Sequence, residues 1–390
     1  MAEEIVLRYG CNPHQKPARV YAQSGALPVK VLNGSPGYIN LLDAFNAWQL
    51  VRELKAALGL PAAASFKHVS PAGAAIGVPM SDTVRKACCV EDMELTPLAT
   101  AYARARGADR MSSYGDFAAL SDRVDAATAA ILVREVSDGV AAPDYEPEAL
   151  AMLSKKKGGS YLVLRMDPSY APPELERREV FGVVFEQRRN DRVPGDETLA
   201  NVVTEKKEIP AVARRDLVLA QIALKYTQSN SVCYAFDGQV IGVGAGQQSR
   251  VHCTRLAGAK ADRWFLRQHP RVAELRFRPG LKRAERNNAI DLFLEEELSP
   301  AEQEAWEACF AQAPARLRTA EKRAWLDAVS GVCLASDAYF PFRDNIDRAR
   351  QSGVSYVVQP GGSMRDADVI AAANQYGMVM AFSGLRLFHH

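Results

Sequence analysis

A lysine and a histidine stand side by side in SFKHVSPAGAA, residues 65–75. Lys67 and His68 follow small apolar residues typical of a buried strand, and a Pro-Ala-Gly turn is predicted directly after them. Neighbouring strand residues point to opposite faces, but at a strand end both side chains can reach one cleft. Neutral histidine is a competent base near pH 7, and lysine supplies positive charge and a proton. The alternative is a structural edge histidine and a solvated lysine.

A second polar group lies in YTQSNSVCY, residues 226–234, between a helical stretch and an apolar strand. The amide of Asn230 could there orient a substrate carbonyl or stabilise an oxyanion. The alternative role for Asn230 is capping the end of the preceding helix. Farther along, DAYFPFRDN (337–345) groups aromatic residues that could pack on a flat heterocycle or belong to the core.

Two glycine-rich loops, GVGAGQQSR (242–250) and QPGGSMRD (359–366), each follow a predicted strand and precede a predicted helix. Backbone N–H groups at a helix start suit an anion, although a turn needed only for packing is the alternative. Neither loop matches a dinucleotide or P-loop pattern. Arg8, Arg250 and Arg386 lie near such loops or near a terminus, where an arginine fork suits a phosphate, or is simply a surface charge.

Metal chemistry finds no support in the sequence. The six histidines form no HxH or HExxH pattern, which excludes the common zinc hydrolases. The seven cysteines are odd in number and contain no CxxC, which indicates a reduced, cytoplasmic protein without structural zinc.

Composition narrows the class of protein further. The net charge of +2 over 390 residues gives no reason to expect nucleic acid or a membrane as a partner. No apolar run approaches the roughly 18 residues of a membrane span. The acidic start MAEEIVLRYG lacks the features of a signal peptide.

Strand and helix patterns alternate along the chain, which favours an α/β protein with layered elements. Residues 38–57, 82–108 and 297–329 have helical periodicity, with a break in the second stretch near Pro97. The stretch YAFDGQVIGVG predicts a hairpin with an Asp-Gly turn.

The proline-rich, acidic stretch DPSYAPPELE (167–176) is the best candidate for a linker. We therefore expect a first unit over 1–166, a linker segment over 167–208, and a second unit over 209–390 with a helical insert near 285–330. The stretches beginning SSYGDF and ASDAYF repeat the same order: strand, helix, Gly-Val, strand, proline turn, helix and strand. A duplicated α/β unit explains this order, and coincidence of two similar runs is the alternative.

Taken together, these stretches resemble the transformylase half of the bifunctional purine enzymes AICAR transformylase/IMP cyclohydrolase. The resemblance rests on LRYGCNPHQKPA, LNGSPGYINLLDA, FKHVSPAGAA, AYARARGADRMSSYGDF, REVSDGVAAPDYE, KYTQSNSVCYA, GQVIGVGAGQQSRVHCTRLAG, SDAYFPFRDNIDRA and LRLFHH. These motifs run in order from Arg8 to His390. The resemblance implies two cytidine-deaminase-like, three-layer α/β units without zinc, joined by linking helices.

The reaction implied by the resemblance moves a formyl group from 10-formyltetrahydrofolate to the 5-amino group of AICAR, giving FAICAR. His68, at the histidine of the family's Lys-His motif, would take the amine proton. Lys67 would stabilise the tetrahedral oxyanion or protonate the departing folate nitrogen. Asn230, at the asparagine of TQSNS, would hold the formyl oxygen.

The resemblance also implies two sets of substrate contacts. AICAR would meet His68, Asn230 and six further residues: Arg8, Tyr9, Gly115, Asp138, Arg250 and Arg386. The folate would meet Val251, Asp344, Ser363 and Met364, with Tyr114, Tyr339 and Pro341 near the pterin. The family's sites lie across a homodimer interface, so residues from both ends of the chain could serve opposite sites. No zinc is expected, and a structural alkali cation such as K+ is left open.

The family usually carries an N-terminal IMP cyclohydrolase domain, whereas seven residues precede Arg8 here. We therefore expect a stand-alone transformylase without cyclohydrolase activity, and a separate cyclohydrolase as a partner. The alternative, from another functional class, is a non-catalytic regulatory protein that binds AICAR. The discriminating feature is a set of residues present together, which favours the enzyme: Lys67, His68, Asn230, Asp138 and Arg386.

Overall fold

The computed structural model describes residues 3–22 and 25–390. Its strands, in chain order, are β1 (Glu4–Leu7), β2 (Ala18–Tyr21), β3 (Val29–Asn33), β4 (Ala62–Lys67), β5 (Ser70–Ile76), β6 (Asp116–Leu120), β7 (Ser137–Ala142), β8 (Leu162–Met166), β9 (Leu175–Val180), β10 (Val183–Arg188), β11 (Val232–Phe236), β12 (Gln239–Gly244), β13 (Val332–Ser336), β14 (Val354–Gln359) and β15 (Val379–Phe382).

The α-helices of the same residues are α1 (Tyr38–Leu58), α2 (Asp82–Ala87), α3 (Pro97–Gly107), α4 (Ala126–Arg134), α5 (Pro147–Lys155), α6 (Ala211–Lys225), α7 (Arg250–Leu266), α8 (Pro270–Ala273), α9 (Arg283–Leu294), α10 (Pro300–Glu307), α11 (Thr319–Asp327), α12 (Asp344–Gln351) and α13 (Asp366–Gln375). Two short 3-10 helices span Lys156–Gly159 and Asp196–Leu199.

Eleven strands form one continuous mixed sheet in the order β15-β14-β13-β11-β12-β5-β4-β6-β7-β8-β3. The hairpins β4–β5 and β11–β12 lie at its middle, where β5 pairs antiparallel with β12 through Ala75 and Gln239. Outward from this pair, the two halves repeat one order, β5-β4-β6-β7-β8 and β12-β11-β13-β14-β15. In each half the last three strands are parallel to one another.

Helices cover both faces of the sheet, which makes three layers. α1 and α6 belong to one core, and α3 and α7 to the other. Consecutive residues of β4 alternate between these cores, because strand side chains point to opposite faces: Ala63 joins one, and Ala62 and Ala64 the other. A sheet buried on both sides explains why its strands are continuous apolar runs.

Two glycines bring helices close to the sheet at matching places. A Cβ atom on Gly73 in β5 would lie 2.1 Å from the carbonyl oxygen of Ala105 in α3. A Cβ atom on Gly242 in β12 would lie 2.2 Å from the carbonyl oxygen of Ala257 in α7. Each glycine is the fourth residue of its strand. The same close contact therefore occurs in both halves.

Two hairpins lie outside the main sheet. β1 pairs with β2, and β9 pairs with β10 around a turn at Phe181 and Gly182. The β9–β10 hairpin falls within the segment predicted as a linker. Its apolar side chains are exposed: Leu175, Val180, Phe181, Val183, Val184 and Phe185.

Many predicted elements are confirmed, including the helix at 38–57 and the Asp-Gly hairpin turn, which is formed by Asp237 and Gly238. The helical stretch 82–108 is two helices, and the second begins at Pro97 because Thr96 caps it. The stretch 297–329 is helical in two parts, α10 and α11, which residues 308–318 separate.

The predicted Pro-Ala-Gly turn after Lys67-His68 was also wrong. Residues 71–73 lie inside β5, and the turn is formed by His68 and Val69 themselves, with φ of 52° and 60°. Two residues with positive φ make the tight hairpin turn whose twist matches that of the strands, so the chain reverses earlier than proline and glycine would suggest.

Candidate functional site

Most of the predicted site residues lie at one edge of the eleven-stranded sheet. β4 ends at this edge and β5 begins there; pairing directions bring the starts of β6, β7 and β11 to the same edge. The ends of β12, β13, β14 and β15 reach it too, because β12 runs antiparallel to β5. We call this edge the site edge; its loops comprise residues 67–70, 112–116, 226–231, 245–250, 337–344, 360–365 and 383–390.

The turn that carries Lys67 and His68 projects from the site edge. Val69 is β-branched, and such residues rarely adopt a positive φ. Strained backbone of this kind is typical of functional sites, where the surroundings hold it in place. His68 is exposed and Lys67 is half-buried, so both side chains are accessible from the same loop.

Asp43 of α1 holds this turn from beneath. Its Oδ1 accepts a hydrogen bond from the backbone N–H of Val69 at 2.7 Å. The Asp43 side chain is buried, with 6% of the residue exposed. Burial raises the pKa of Asp43 to about 6, and the Val69 hydrogen bond and nearby His68 oppose that rise. A buried carboxylate is therefore hydrogen-bonded to the turn that carries the predicted base.

The loop before β6 contacts the lysine. Lys67 Nζ donates to the carbonyl oxygen of Tyr114 at 2.6 Å. Gly115, with φ of 76°, donates its N–H to the carbonyl oxygen of Val136 at 3.0 Å, beside the start of β7. Asp138 in β7 is exposed and forms an ion pair with Lys157 at 2.8 Å. Lys67, Tyr114 and Gly115 are thus brought together, and Asp138 lies on the adjoining strand.

A buried ion-pair network fixes the base of this loop. Asp116 accepts a hydrogen bond from Ser65 at 2.6 Å and pairs with Arg106 at 2.5 Å. Arg106 also pairs with Glu135 at 3.1 Å. Because burial raises the pKa of Asp116, the guanidinium is needed to oppose that effect and keep the carboxylate charged.

Asn230 lies at the start of β11 with its amide oriented by neighbours. Arg250 Nη2 donates to Asn230 Oδ1 at 2.8 Å, and Asn230 Nδ2 donates to the carbonyl oxygen of Gln248 at 3.2 Å. Its backbone N–H donates to the carbonyl oxygen of Gln247 at 3.3 Å. One Nδ2 proton remains for a ligand, since an amide nitrogen carries two.

Asp337, directly after β13, holds Arg250 and the loop around Asn230 in place. The sequence did not predict it as a site residue. It is fully buried and forms an ion pair with Arg250. Its Oδ2 accepts from the Ser229 hydroxyl at 2.6 Å, and from the Ser231 backbone N–H and hydroxyl at 3.0 and 2.9 Å. Arg250 therefore has its partners within its own chain. The predicted contact of Arg250 with AICAR stays a prediction.

A hydrogen bond joins the loop that carries Asn230 to the start of β5, directly after the Lys67-His68 turn. The backbone N–H of Gln228 donates to the hydroxyl of Ser70, two residues after His68, at 3.3 Å. The C-terminal segment meets the same loop, because Ser229 N donates to the carbonyl oxygen of His389 at 3.0 Å. The Lys67-His68 turn and Asn230 thus belong to one connected surface of a single chain.

The predicted folate residues lie farther along the site edge. Tyr339 and Pro341 occupy the loop between β13 and α12, and Asp344 is the first residue of α12. Ser363 and Met364 lie between β14 and α13, where Met364 is fully exposed. Val251 is the second residue of α7, and Tyr114 is exposed beside Lys67. No direct hydrogen bond joins this group to His68 within residues 3–22 and 25–390.

Three predicted AICAR contacts lie in two terminal segments of the chain. Arg8 and Tyr9 follow β1, and Arg8 is exposed. Arg386 is exposed in the C-terminal segment with its guanidinium 4.8 Å from the centre of the Phe388 ring. Across the described part of the chain, no hydrogen bond or ion pair links these arginines to Lys67, His68 or Asn230.

Two structural findings concern metals and membranes. In the described ranges, no three side chains of His, Cys, Asp or Glu come together in a way that would hold a metal ion. Also within these ranges, every helix is too short or too polar to cross a bilayer. The alkali cation stays a prediction.

Comparison with known proteins identifies relatives along the whole chain. A family model described as "AICARFT/IMPCHase bienzyme" matches residues 1–260. The chain is 34% identical over 391 aligned residues to a "Bifunctional purine biosynthesis protein PurH" of Xylella fastidiosa (strain 9a5c), and 33% identical to one of Xanthomonas campestris pv. campestris (strain 8004). Each alignment covers 98% of this chain and 58% of the relative. The chain therefore belongs to the AICARFT/IMPCHase bienzyme family.

Proposed function

We propose that this protein transfers the formyl group of 10-formyltetrahydrofolate to the 5-amino group of AICAR, giving FAICAR and tetrahydrofolate in the penultimate step of IMP synthesis. The observation that carries the proposal is the surface on which the Lys67-His68 turn and Asn230 are joined through Gln228 and Ser70. Membership of the family supports the choice of substrates. Ring closure by a separate cyclohydrolase stays a prediction, and so does a cytoplasmic location.

His68 is the general base of the proposed reaction. The 5-amino group of AICAR is a weak nucleophile, because the neighbouring carboxamide withdraws electrons from the ring. As its nitrogen attacks the formyl carbon, a C–N bond forms and the amine proton passes to the imidazole of His68. Its exposed position on a fixed turn leaves the ring free to approach a bound substrate.

Lys67 and Asn230 act on the formyl group and the leaving folate. The oxyanion that forms on the formyl oxygen is stabilised by the free Nδ2 proton of Asn230 and the positive charge of Lys67. When the intermediate collapses, the bond from carbon to folate N10 breaks and that nitrogen takes a proton from Lys67. Removing one oxyanion donor lowers kcat by about 10²–10³-fold in well-studied enzymes, so both residues are expected to matter.

The proposed contacts with AICAR and with the folate are those that the family resemblance implies. Arg8 and Arg386 bind the phosphate of AICAR, because guanidinium forks match phosphate oxygens. Asp138 and Gly115 contact the heterocycle beside Lys67, with Tyr9 and Arg250 completing the AICAR set. The exposed aromatic residues Tyr114 and Tyr339 stack on the pterin. Pro341 lies beside them, and the rest of the folate meets Val251, Asp344, Ser363 and Met364.

Two cytidine-deaminase-like units form the scaffold in this proposal. Three features support a duplication. The strand order repeats outward from the middle of the sheet, Gly73 and Gly242 occupy matching positions, and α1 and α6 precede matching hairpins. The units meet in one continuous sheet rather than through a flexible segment, so their relative positions are set by strand pairing.

A homodimer with sites at its interface is part of the proposal, and the β9–β10 hairpin supports it. Isolated two-stranded hairpins are marginally stable in water, yet this one exposes six apolar side chains around Phe181. Its charges do not suit a nucleic acid or an acidic surface, because residues 174–189 contain four glutamates and four arginines. Several pair within the hairpin, as Arg177 does with Glu186 at 2.5 Å.

A second copy of this chain fits such a surface, since a two-fold interface needs a patch that complements itself. An apolar tip with internally balanced charge has this property. The chain that follows the hairpin adjoins the site edge, because Lys225, directly before loop 226–231, donates a hydrogen bond to the carbonyl oxygen of Arg192 at 3.0 Å. Pairing through the hairpin would therefore bring the sites of two copies close to the interface.

Replacing Phe181 with asparagine and Phe185 with glutamine together is expected to weaken the dimer. Both changes remove exposed aromatic anchors, and asparagine tolerates the positive φ at residue 181. The dissociation constant should rise about a hundredfold or more, as measured by sedimentation velocity without substrates. Val212→Gln, which removes an exposed apolar side chain in α6, is the control and should leave the dimer unchanged. A monomeric wild-type protein, or a variant that still dimerises normally, would refute the role of the hairpin.

The activity is tested by mixing purified protein with AICAR and 10-formyltetrahydrofolate and following tetrahydrofolate release by absorbance. Release that requires both substrates is the expected result. The same mixture with formate and ATP in place of the folate should give no product. Absence of release with either the monoglutamyl or polyglutamyl folate would refute the proposed activity.

A further inference from the structure

The protein contains a second hairpin turn that serves as an internal reference for the Lys67-His68 turn. The turn between β4 and β5 is formed by His68 and Val69, and the turn between β11 and β12 by Asp237 and Gly238. All four residues have positive φ. The two turns occupy matching places in the two halves of the sheet, but they point to opposite edges.

An aspartate on the preceding helix holds each turn in the same way. Asp43 Oδ1 accepts from the N–H of Val69 at 2.7 Å, and Asp216 Oδ1 accepts from the N–H of Gly238 at 2.8 Å. Asp43 is the sixth residue of α1, and Asp216 is the sixth residue of α6. Both are nearly completely buried. The bond from aspartate to the second turn residue is therefore a repeated element of the architecture.

The two copies of this element differ in what surrounds the carboxylate. Asp216 is paired with Arg215 at 3.0 Å, and its turn residue Asp237 is paired with Arg104 at 2.8 Å. Asp43 forms no ion pair within the part of the chain that the structure describes. The charge of nearby His68 lowers the pKa of Asp43, opposing the effect of burial. The turn at His68 and Val69 is thus bonded to a buried carboxylate that no ion pair in the described residues neutralises.

The positive φ is also harder to adopt in the turn at His68 and Val69 than in the turn at Asp237 and Gly238. Glycine at residue 238 adopts a positive φ without strain, whereas Val69 does so against its β-branched side chain. A hydrogen bond to an ionised acceptor is stronger than one to a neutral acceptor. The Asp43 carboxylate is therefore well suited to offset the strain at Val69 and to fix the direction in which His68 leaves the turn.

We infer that Asp43 is a positioning residue for the formyl transfer: it holds the Val69 amide and so fixes His68 on its strained turn. This inference rests on the proposed function of His68. Asp43 also contributes the negative charge of its carboxylate to the hydrogen bond with Val69, which strengthens that bond. It contacts neither substrate and acts through the turn.

Two substitutions separate these contributions, with the duplicated turn as control. Asp43→Ala removes the acceptor and the charge, and we expect kcat to fall about a hundredfold while the KM for AICAR changes little. Asp43→Asn keeps an oxygen acceptor for Val69, so most of the loss should be recovered, leaving kcat within about tenfold of wild type. Asp216→Ala removes the matching bond from the Asp237-Gly238 turn; it should lower the melting temperature but leave kcat unchanged.

The positioning role has a readout that does not depend on activity. Hydrogen–deuterium exchange of the amides at residues 66–70 should speed up in Asp43→Ala without substrates, and stay near wild type in Asp43→Asn. Unchanged exchange in Asp43→Ala, or equal kcat in Asp43→Ala and Asp216→Ala, would overturn the inference. If wild type shows no formyl transfer at all, the exchange result still decides whether Asp43 fixes the turn, so the two failures can be told apart.

Discussion

Replacing His68 with alanine is expected to lower kcat for formyl transfer by about 10³-fold or more, because the amine proton then has no acceptor on the turn. AICAR binding should change only a few-fold, since the proposed phosphate contacts, Arg8 and Arg386, are distant in sequence and remain intact. Spectrophotometric turnover and calorimetric AICAR binding, measured on the same preparation, give both quantities. The large fall in kcat with nearly constant binding separates a base from a binding residue.

The control for this substitution is His14→Ala. His14 is exposed, and its backbone carbonyl oxygen accepts a hydrogen bond from the N–H of Lys16 at 3.1 Å. It should leave both kcat and AICAR binding unchanged. Turnover near the wild-type value in His68→Ala would show that another group accepts the proton, and Lys67 would become the first candidate.

Replacing Asp337 with alanine is expected to cause the largest loss of stability, about 3–5 kcal/mol in the free energy of unfolding. The substitution leaves Arg250 buried without its carboxylate, and it leaves the Ser229 and Ser231 donors without an acceptor. Formyl transfer should fall as well, because Arg250 orients the amide of Asn230. Denaturant unfolding at constant pH measures the first effect, and turnover at low temperature, where the variant is folded, measures the second.

Asp327→Ala is the matched control for a carboxylate-to-alanine change. Asp327 forms an exposed ion pair with Arg323 at 2.8 Å within α11, and such pairs contribute about 0–1 kcal/mol. Its removal should therefore have little effect on unfolding or turnover. An Asp337→Ala variant with the stability of wild type would mean that Arg250 finds another partner or reaches solvent.

Local sequence patterns predicted the turns and helices whose conformation is favoured by the residues within them. The Asp237-Gly238 turn was predictable because aspartate and glycine favour positive φ, and the helix at 38–57 because its apolar residues recur at helical spacing. The strand that ends at Lys67 was predictable because it is a short run of small, mainly apolar residues. The turn at His68 and Val69 was not, since neither residue favours the conformation it adopts. Tertiary contacts, chiefly the Asp43 bond, determine it.

Residues that act through distant partners could not be found from the sequence. Asp337 and Arg250 are 87 positions apart, and no spacing rule joins them. No sequence pattern distinguishes Asp43 from the other polar residues of α1. Its bond to Val69 depends on how α1 packs against the sheet. The β9–β10 hairpin was missed because the prolines before it are typical of a linker. In each case the information lies in the packing of elements that are separate in sequence.

The proposed role of His68 on the site edge is to accept the amine proton during formyl transfer to AICAR. Its most direct test follows an isotope-labelled formyl carbon by NMR in a mixture of labelled 10-formyltetrahydrofolate, AICAR and protein. We predict that wild type moves the label onto the 5-amino nitrogen of AICAR with release of one tetrahydrofolate per product, and that His68→Ala moves it about 10³-fold more slowly. Wild-type protein that binds AICAR yet leaves the label on the folate would contradict the account and would indicate a regulatory AICAR-binding protein instead.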